Sequence, residues 1–218
     1  MKKIKWMISI IKSGYFLKDK LALGLYFMAW PLRRTFFKNM KLISNVLVKN
    51  QDGIFYCGNN FSAVGCVHIS YEKELRNIFR NVKKGIFIDV GANIGKYTIM
   101  VGKKIKGKVI AIEPEEKNFE ILKKNIELNN LKNIIPVRSA CSSKSKKRKF
   151  FLDRQGIGTH SFYKIKIGKT DKIIYIKTER LDNLISKNLE KKEIKEISLI
   201  KIDVEGAEAD VLKGTKKT

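Results

Sequence analysis

Cysteine and histidine are scarce in this sequence. Its three cysteines, Cys57, Cys66 and Cys141, form no CxxC pair. An odd number of cysteines without paired spacing does not make a disulfide framework, so we expect reduced thiols and a cytoplasmic location. A zinc site needs four donors at short paired spacings, and Cys57, Cys66 and His68 lack a fourth. We therefore expect these cysteines to pack between strands, and we expect no metal.

Long uncharged runs are also missing. The longest, Leu21 to Leu32, has twelve residues, whereas a helix that crosses a bilayer needs about twenty. Residues 6–11 resemble the start of a signal peptide, but Lys12 interrupts them, so secretion is not expected. Residues 1–40 are instead predicted to form basic amphipathic helices that end near Pro31. Two hypotheses stay open for them: packing on the rest of the protein or a partner subunit, or peripheral association with an anionic membrane.

Acidic residues are outnumbered, since 46 lysines and arginines stand against 21 aspartates and glutamates, a formal charge of +25. A positive potential favours anionic partners such as phosphate, nucleic acid or acidic membrane. The basic residues are scattered, so charge alone identifies no binding face. The basic segment at residues 144–149 is either a solvated loop or a site for an anionic substrate or a nucleic acid backbone.

Apolar strands alternate with amphipathic helices from about residue 70 onward, after short strands predicted at 42–69. The predicted strands are 86–90, 108–112, 134–137 and 198–202, and the predicted helices are 71–82, 95–104, 115–129 and 181–189. This alternation predicts a parallel sheet in an α/β fold. Residues 141–180 interrupt it with β-branched runs that indicate an antiparallel excursion. We therefore divide the chain into an N-terminal extension at 1–70 and an α/β domain at 71–218.

The first candidate binding motif is DVGANIG, which directly follows a predicted strand and precedes a helix. Its glycines, Gly91 and Gly95, allow a tight turn and the close approach of a ligand to the backbone. A pyrophosphate loop has GxGxxG spacing, whereas this loop has GxxxG spacing and a carboxylate, Asp89, at the strand end. A carboxylate repels pyrophosphate but accepts hydrogen bonds from an ammonium group. The glycine spacing and Asp89 therefore favour S-adenosylmethionine over a dinucleotide.

The second binding motif is the carboxylate Glu113, which ends the run VIAIE 18 residues after Gly95. At the end of the second strand of such a fold, a carboxylate accepts hydrogen bonds from both ribose hydroxyls of an adenosyl ligand. The alternative is that Asp89 and Glu113 only cap turns, but their joint spacing favours a ligand.

The sequence resembles the FkbM family of methyltransferases over roughly residues 70 to 214. The resemblance rests on FIDVGANIGKYT, IEPEEKNFEILKKNIELNN, ERLDNL and IKIDVEGAEADVLKG. It implies a Rossmann-like class I methyltransferase fold that depends on S-adenosylmethionine and methylates hydroxyl groups of sugars, glycolipids or secondary metabolites. It also implies site residues: Asp89, Gly91, Asn93 and Gly95 in the cofactor loop, Glu113 at the ribose, Ser139 and Ala140 beside the adenine, and Asp203 and Glu205 facing the path of the methyl group.

Asp203 is also a candidate from its position alone, because it follows the predicted strand 198–202. Ligands of open α/β sheets bind at the carboxyl ends of the strands. Methyl transfer to an alcohol needs alignment of the acceptor and removal of its proton, which Asp203 or Glu205 could accept. The alternative is that Glu205 and its acidic neighbours only cap the next helix. His160 is either a further base or an ordinary solvent-facing histidine.

Three functional hypotheses follow from these motifs. The leading one is an O-methyltransferase that acts on a small-molecule or glycan acceptor. An RNA methyltransferase would suit the charge, but an acidic IDVEGAE segment, rather than an NPPY-like tetrapeptide that holds a flipped base, follows the fourth strand. The third is an inactive cofactor-binding remnant, because we predict only the first four core strands of the sheet and expect the domain to be C-terminally incomplete.

Overall fold

The computed structural model describes residues 2–33, 43–153, 160–163 and 170–216. The contacts within the chain divide it into two compact units, Met1–Lys73 and Glu74–Thr218. The predicted helical residues 34–40 and the glycine-containing part of the predicted loop, residues 154–159, lie outside the described residues. The sequence-based boundary at residue 70 stays a prediction.

The first unit contains a pair of helices, a β-hairpin and a short third helix. Their bounds are α1 Lys2–Ser13, α2 Leu17–Arg33, β1 Leu47–Asn50, β2 Gly53–Tyr56 and α3 Phe61–Val67. Helices α1 and α2 lie in the region where the sequence predicts basic amphipathic helices, and β1 and β2 pair antiparallel. Among the described helices, none is long and apolar enough to cross a membrane.

The prediction of strands throughout 42–69 is wrong for residues 61–67, which form α3. Asn60 caps this helix, and its side chain accepts a hydrogen bond from the Ser62 backbone N–H. Such a cap satisfies one of the amide donors that a helix start leaves unpaired. Ala63, Val64 and Val67 then bury one side of the helix. Spacing of three and four residues therefore decides the conformation here, and Cys66 lies on a helix and not between strands.

The second unit is built on a parallel sheet of four strands, among the described residues. These strands are β3 Lys84–Val90, β4 Lys106–Ile112, β5 Ile134–Val137 and β9 Ile197–Ile202, in the order β5-β4-β3-β9. The helices of this part of the chain are α4 Lys73–Arg80, α5 Lys96–Gly102, α6 Glu116–Leu128, α7 Leu181–Asn188, α8 Lys191–Ile194 and α9 Glu208–Lys213. The predicted Rossmann-like α/β fold is confirmed, and its strands and helices lie within a few residues of their predicted bounds.

The predicted antiparallel excursion is confirmed as a second, smaller sheet. It consists of β6 Ala140–Cys141, β7 Lys147–Asp153 and β8 Thr170–Glu179, in the order β6-β8-β7. Strands β7 and β8 pair antiparallel, and the short β6 runs parallel to β8. Because β6 follows β5 after two residues, this sheet starts at the carboxyl end of the main sheet.

The apolar face predicted for the helix that precedes β3 is wrong in part. Leu75 and Ile78 of α4 are exposed, whereas Phe79 is buried. Phe79 packs against Phe87 and Tyr97, with ring centroids 5.8 and 4.2 Å away. The single ring of Phe79 therefore makes the packing contact that we had expected from a whole apolar face of this helix.

The core of the second unit lies on both sides of its central strands. Side chains from β3, β4 and α7 form one buried cluster, which includes Ile86, Ile88, Val90, Ile110, Ile112, Leu181, Leu184 and Ile185. Strands buried on both faces are near-continuous apolar runs, which is why these strands were recognisable from the sequence. The packed strands fix the positions of the polar residues that follow them.

Candidate functional site

A cavity lies at the carboxyl edge of the parallel sheet. Its walls come from the segments that follow β3, β4, β5 and β9, from α6 and from the smaller sheet. The lining residues named in the sequence analysis are Gly91, Asn93, Glu113, Ser139, Ala140, His160, Asp203 and Glu205. The structure therefore brings together, at one cavity, residues from five separate parts of the chain.

Glu113 is held in the cavity wall by the backbone. One of its carboxylate oxygens accepts a hydrogen bond from the Asn93 N–H (2.8 Å), and the other accepts from the Glu115 N–H (3.0 Å). Burial raises the pKa of Glu113 to about 7, although these hydrogen bonds act in the opposite direction. Each carboxylate oxygen has more than one acceptor site, so both can still accept a hydroxyl donor from a ligand.

Asp89 does not line the cavity but lies below it. Its side chain is 1% exposed, and one oxygen accepts a hydrogen bond from the Thr98 hydroxyl at 2.6 Å. The other oxygen accepts from the Lys201 ammonium at 3.0 Å. The expected contact between Asp89 and a ligand ammonium stays a prediction, because in this structure both oxygens bind protein groups.

Lys201 ties three parts of the site together from beneath. It is the register partner of Asp89 in the parallel pairing of β3 with β9. Its ammonium also donates to the Gly91 carbonyl (3.1 Å) and lies 3.6 Å from the Asp203 carboxylate. Burial acts to lower the pKa of Lys201, but the charges of Asp89 and Asp203 raise it above its ordinary value. The ammonium therefore stays protonated below the cavity.

The loop after β3 approaches the loop after β9 so closely that Gly91 has no room for a side chain. A Cβ at Gly91 would lie 1.9 Å from the Asp203 carbonyl oxygen, and its φ of +78° is in the left-handed region. The Asp203 N–H also donates to the Val90 carbonyl at 3.1 Å. This close approach brings Asp203 to the same cavity as the cofactor loop predicted from sequence.

Gly95 ends the loop between β3 and α5. It is the N-cap of α5 with a φ of +93°, and it lies outside the cavity lining. A Cβ there would lie 2.7 Å from the Leu122 side chain of α6. Gly95 thus lets α6 pack closely under the loop, and a direct contact with a ligand stays a prediction.

Asp203 and Glu205 lie side by side in the loop after β9, and both are exposed at the cavity. Glu205 has a φ of +53°, which turns the chain sharply there. Its carbonyl accepts a hydrogen bond from the Ser161 hydroxyl at 2.6 Å. Glu208, rather than Glu205, accepts from the Val204 and Gly206 N–H groups. The capping alternative therefore applies to Glu208.

The smaller sheet and the described part of its loop supply the opposite wall. Phe150 and Phe162 pack edge to face with centroids 5.2 Å apart, and His160 lies at the cavity with its ring 6.4 Å from that of Phe150. Arg148 lies over the Phe162 ring at 4.2 Å and forms an ion pair with Asp210 at 2.6 Å. This wall combines two aromatic rings with one imidazole.

Four residues in or beneath the cavity wall were not predicted from the sequence: Lys201, Asn118, Phe150 and Phe162. Lys201 carried a detectable signal, because a lysine inside the apolar strand LIKI needs a buried partner. The aromatic residues carried none, since their place at the cavity depends on how the excursion folds back. Among the described residues, no three potential metal ligands cluster, and His68 instead bonds the hydroxyls of Ser9 and Ser70.

Comparison with known proteins identifies the family. The model of the methyltransferase FkbM domain matches residues 89–218, which is more than half of the chain. The chain belongs to the FkbM methyltransferase family. The predicted family is confirmed, and with it the cofactor class, S-adenosylmethionine.

Two curated relatives of this FkbM chain are methyltransferases by name. Methyltransferase 1 of Beauveria bassiana is 24% identical over 144 residues, which cover 58% of this chain and 57% of the relative. The hexuronic acid methyltransferase AglP of Haloferax volcanii is 32% identical over 126 residues, which cover 58% of this chain and 48% of the relative. The FkbM chain thus spans about half the length of the curated relatives it matches.

A solved structure overlaps the FkbM chain in part. The structure of M. jannaschii TYW2 in complex with AdoMet shares 25% identity, covers 44% of each chain and has a TM-score of 0.36.

The residues at the cavity of the FkbM domain fit an adenosyl ligand. Glu113 presents a carboxylate at the second strand end, where a ribose needs hydrogen-bond acceptors. Gly91 and Asn93 line the same cavity, and at Gly91 a ligand can approach the backbone because there is no side chain.

Lys201 is expected to stabilise the FkbM domain through Asp89. Replacing Lys201 with Met leaves a buried carboxylate without its cation, so the free energy of unfolding should fall by about 3–5 kcal/mol. Lys201→Arg keeps the charge and should lose less. Urea denaturation measures both.

The control for Lys201 is Lys192→Met, at an ion pair whose side chains are 80% and 69% exposed. This change should alter the free energy of unfolding by less than about 0.5 kcal/mol. Equal urea midpoints for Lys201→Met and the wild type would contradict the role of the ion pair.

Proposed function

We propose that this protein transfers a methyl group from S-adenosylmethionine to a hydroxyl group of a sugar, glycolipid or secondary metabolite. The observation that carries the proposal is the arrangement of carboxylates around one cavity. Glu113, Asp203 and Glu205 line the same cavity as Phe150 and Phe162.

Glu113 would hold the adenosyl group through its ribose hydroxyls. The bonds from the Asn93 and Glu115 amides fix its carboxylate in one orientation, so the acceptor oxygens are positioned before the ligand arrives. Asn118, Ser139 and Ala140 line the adjacent wall and would border the adenine. When bound, the cofactor supplies an electrophilic methyl group on a sulfonium.

Asp203 would accept the proton of the acceptor hydroxyl. Its side chain is 55% exposed, and the Lys201 ammonium lies 3.6 Å from its carboxylate. Removing the proton makes the acceptor oxygen a better nucleophile, and general-base catalysis of this kind contributes about 10²–10⁴-fold in rate. Glu205, two residues after Asp203 in the same loop, would position the acceptor or accept the proton in place of Asp203.

The charge of the cavity favours a hydroxyl acceptor over a carboxylate. Glu113, Asp203 and Glu205 all line it, and an anionic acceptor group would meet like charges. The relative AglP is named a hexuronic acid methyltransferase, which supports a sugar as the acceptor class; a hexuronic acid carries several hydroxyl groups as well as its carboxylate. Phe150 and Phe162 supply an apolar wall on which a sugar ring can pack.

The cysteines support a reducing compartment, and we place the protein's activity in the cytoplasm. The three cysteines, Cys57, Cys66 and Cys141, form no disulfide. Burial raises the pKa of Cys141 to about 12, so this thiol at the cavity wall is unreactive and is not a nucleophile of the reaction.

Glu113→Gln is expected to weaken S-adenosylmethionine binding on the order of 10- to 100-fold at about pH 8. The amide cannot accept both backbone N–H groups and both ribose hydroxyls. Isothermal titration calorimetry measures the Kd. Glu116→Gln is the matched control, because Glu116 is 67% exposed and pairs with Arg138 on the outside of α6.

The pKa of Glu113, raised to about 7, adds a pH dependence to the same experiment. Glu113 is ionised above this pKa and protonated below it, so the wild-type affinity should fall about tenfold between pH 8 and pH 6. The ammonium of the cofactor also titrates, so the informative quantity is the difference between wild type and Glu113→Gln. Equal affinities for Glu113→Gln, Glu116→Gln and the wild type would overturn the cofactor site.

Asp203→Asn is expected to slow methyl transfer about 10²–10⁴-fold while the Kd for S-adenosylmethionine changes less than about threefold. The assay follows label from methyl-labelled S-adenosylmethionine into a glycolipid extract and, separately, into a tRNA pool. We expect label in the glycolipid fraction that survives mild alkali, as a methyl ether does and a methyl ester does not. Label in tRNA alone, or full activity of Asp203→Asn, would contradict the proposal.

A further inference from the structure

Helices α1 and α2 expose a row of large apolar side chains. In α2 the exposed residues Leu17, Leu21, Leu25 and Met28 are spaced by four, four and three positions, which places them on one side of the helix. Leu17 is 73% exposed and Met28 is 76% exposed. In α1 the exposed Ile4 and Ile8 are four positions apart and also share one side. We call these six residues the apolar stripes.

The opposite sides of these helices are already used for packing within the first unit. Ile10 and Leu23 are fully buried. The Tyr26 ring stacks on Phe61 with centroids 4.0 Å apart, and Trp6 packs edge to face on Phe27 at 5.9 Å. The apolar stripes are therefore not part of the packing core of this unit, because other side chains of the two helices make the core contacts.

The charges beside the stripes are all positive among the described side chains of these helices. The exposed lysines are Lys2, Lys3, Lys5, Lys12, Lys18 and Lys20. The one acidic residue, Asp19, is 2% exposed, and its carboxylate accepts hydrogen bonds from the Phe16 and Leu47 amides. No exposed carboxylate on α1 or α2 offsets these lysines.

We propose that the apolar stripes of α1 and α2 bind the surface of an anionic membrane, with the helices parallel to it. Apolar side chains would enter the boundary between headgroups and acyl chains, and the adjacent lysines would bind acidic lipid headgroups.

The charges favour a lipid surface over a second copy of the chain. A symmetric dimer through the same stripes would place the lysines of one copy near those of the other, and this repulsion opposes association. Nucleic acid would satisfy the lysines but would leave the apolar stripes in water. The proposal does not depend on the methyltransferase activity, and its test does not require turnover.

The test is cosedimentation of the full chain with phosphatidylcholine vesicles that contain phosphatidylserine, and with pure phosphatidylcholine vesicles. We expect binding to the anionic vesicles only. Leu21→Gln/Leu25→Gln and, separately, Lys18→Gln/Lys20→Gln should each weaken it on the order of tenfold or more. Circular dichroism of each variant checks that the helices still form.

Matched controls come from the second unit. Ile173→Gln/Leu212→Gln removes two apolar side chains that are 51% and 59% exposed, and Lys191→Gln/Lys192→Gln removes two exposed lysines. Neither control should change vesicle binding by more than about twofold. Absence of wild-type binding, or equal losses in control and test variants, would overturn the proposal. So would a wild-type dimer in light scattering that Leu21→Gln/Leu25→Gln converts to monomer without any binding to vesicles.

Discussion

The ion pair between Lys201 and Asp89 is the interaction on which the site depends. These residues are direct partners in neighbouring parallel strands, and both side chains are nearly inaccessible to water. The same ammonium binds the Gly91 carbonyl and lies next to the Asp203 carboxylate. One buried cation thus links the loop that would hold the cofactor to the loop that would hold the acceptor. Because a buried charge is costly without its partner, this link keeps the two loops in register.

The charge of the whole chain and the charge of its cavity have opposite signs. The formal charge is +25, yet three carboxylates line the cavity, and among the described residues no lysine or arginine lines it. An excess of surface lysine therefore says little about the substrate of the site. An excess of lysine indicates a binding surface more specifically where exposed apolar side chains lie beside the lysines, as they do on α1 and α2. The two surfaces suit different ligands, a neutral hydroxyl compound at the cavity and acidic lipid at the helices.

Much of the fold was predictable because the central strands β3 and β4 are buried along most of their length. Near-continuous apolar runs marked β3, β4 and β9, and the residues that follow such strands in an open α/β sheet must lie at one edge. Glu113, Asp203 and Glu205 were found by that argument together with the family resemblance. The strand assignment failed at α3, where a cap at Asn60 and burial at helical spacing favour a helix.

The rest of the site could not be predicted because it depends on tertiary contacts. Asp89 was expected to face a ligand, but its pairing with Lys201 becomes visible only when the register of β3 and β9 is known. Phe150 and Phe162 reach the cavity because the excursion folds back onto the carboxyl edge of the sheet. The spacing of residues in the sequence does not indicate that residues 141–180 fold back onto this edge.

The most direct test of this account is a crystal structure of the full chain with S-adenosylhomocysteine. We predict that the nucleoside occupies the cavity at the carboxyl edge of the sheet, with both ribose hydroxyls within hydrogen-bond distance of the Glu113 carboxylate and the sulfur on the side of Asp203. Lys201 should still bind Asp89 beneath it. A nucleoside bound elsewhere, or a ribose directed away from Glu113, would contradict the account.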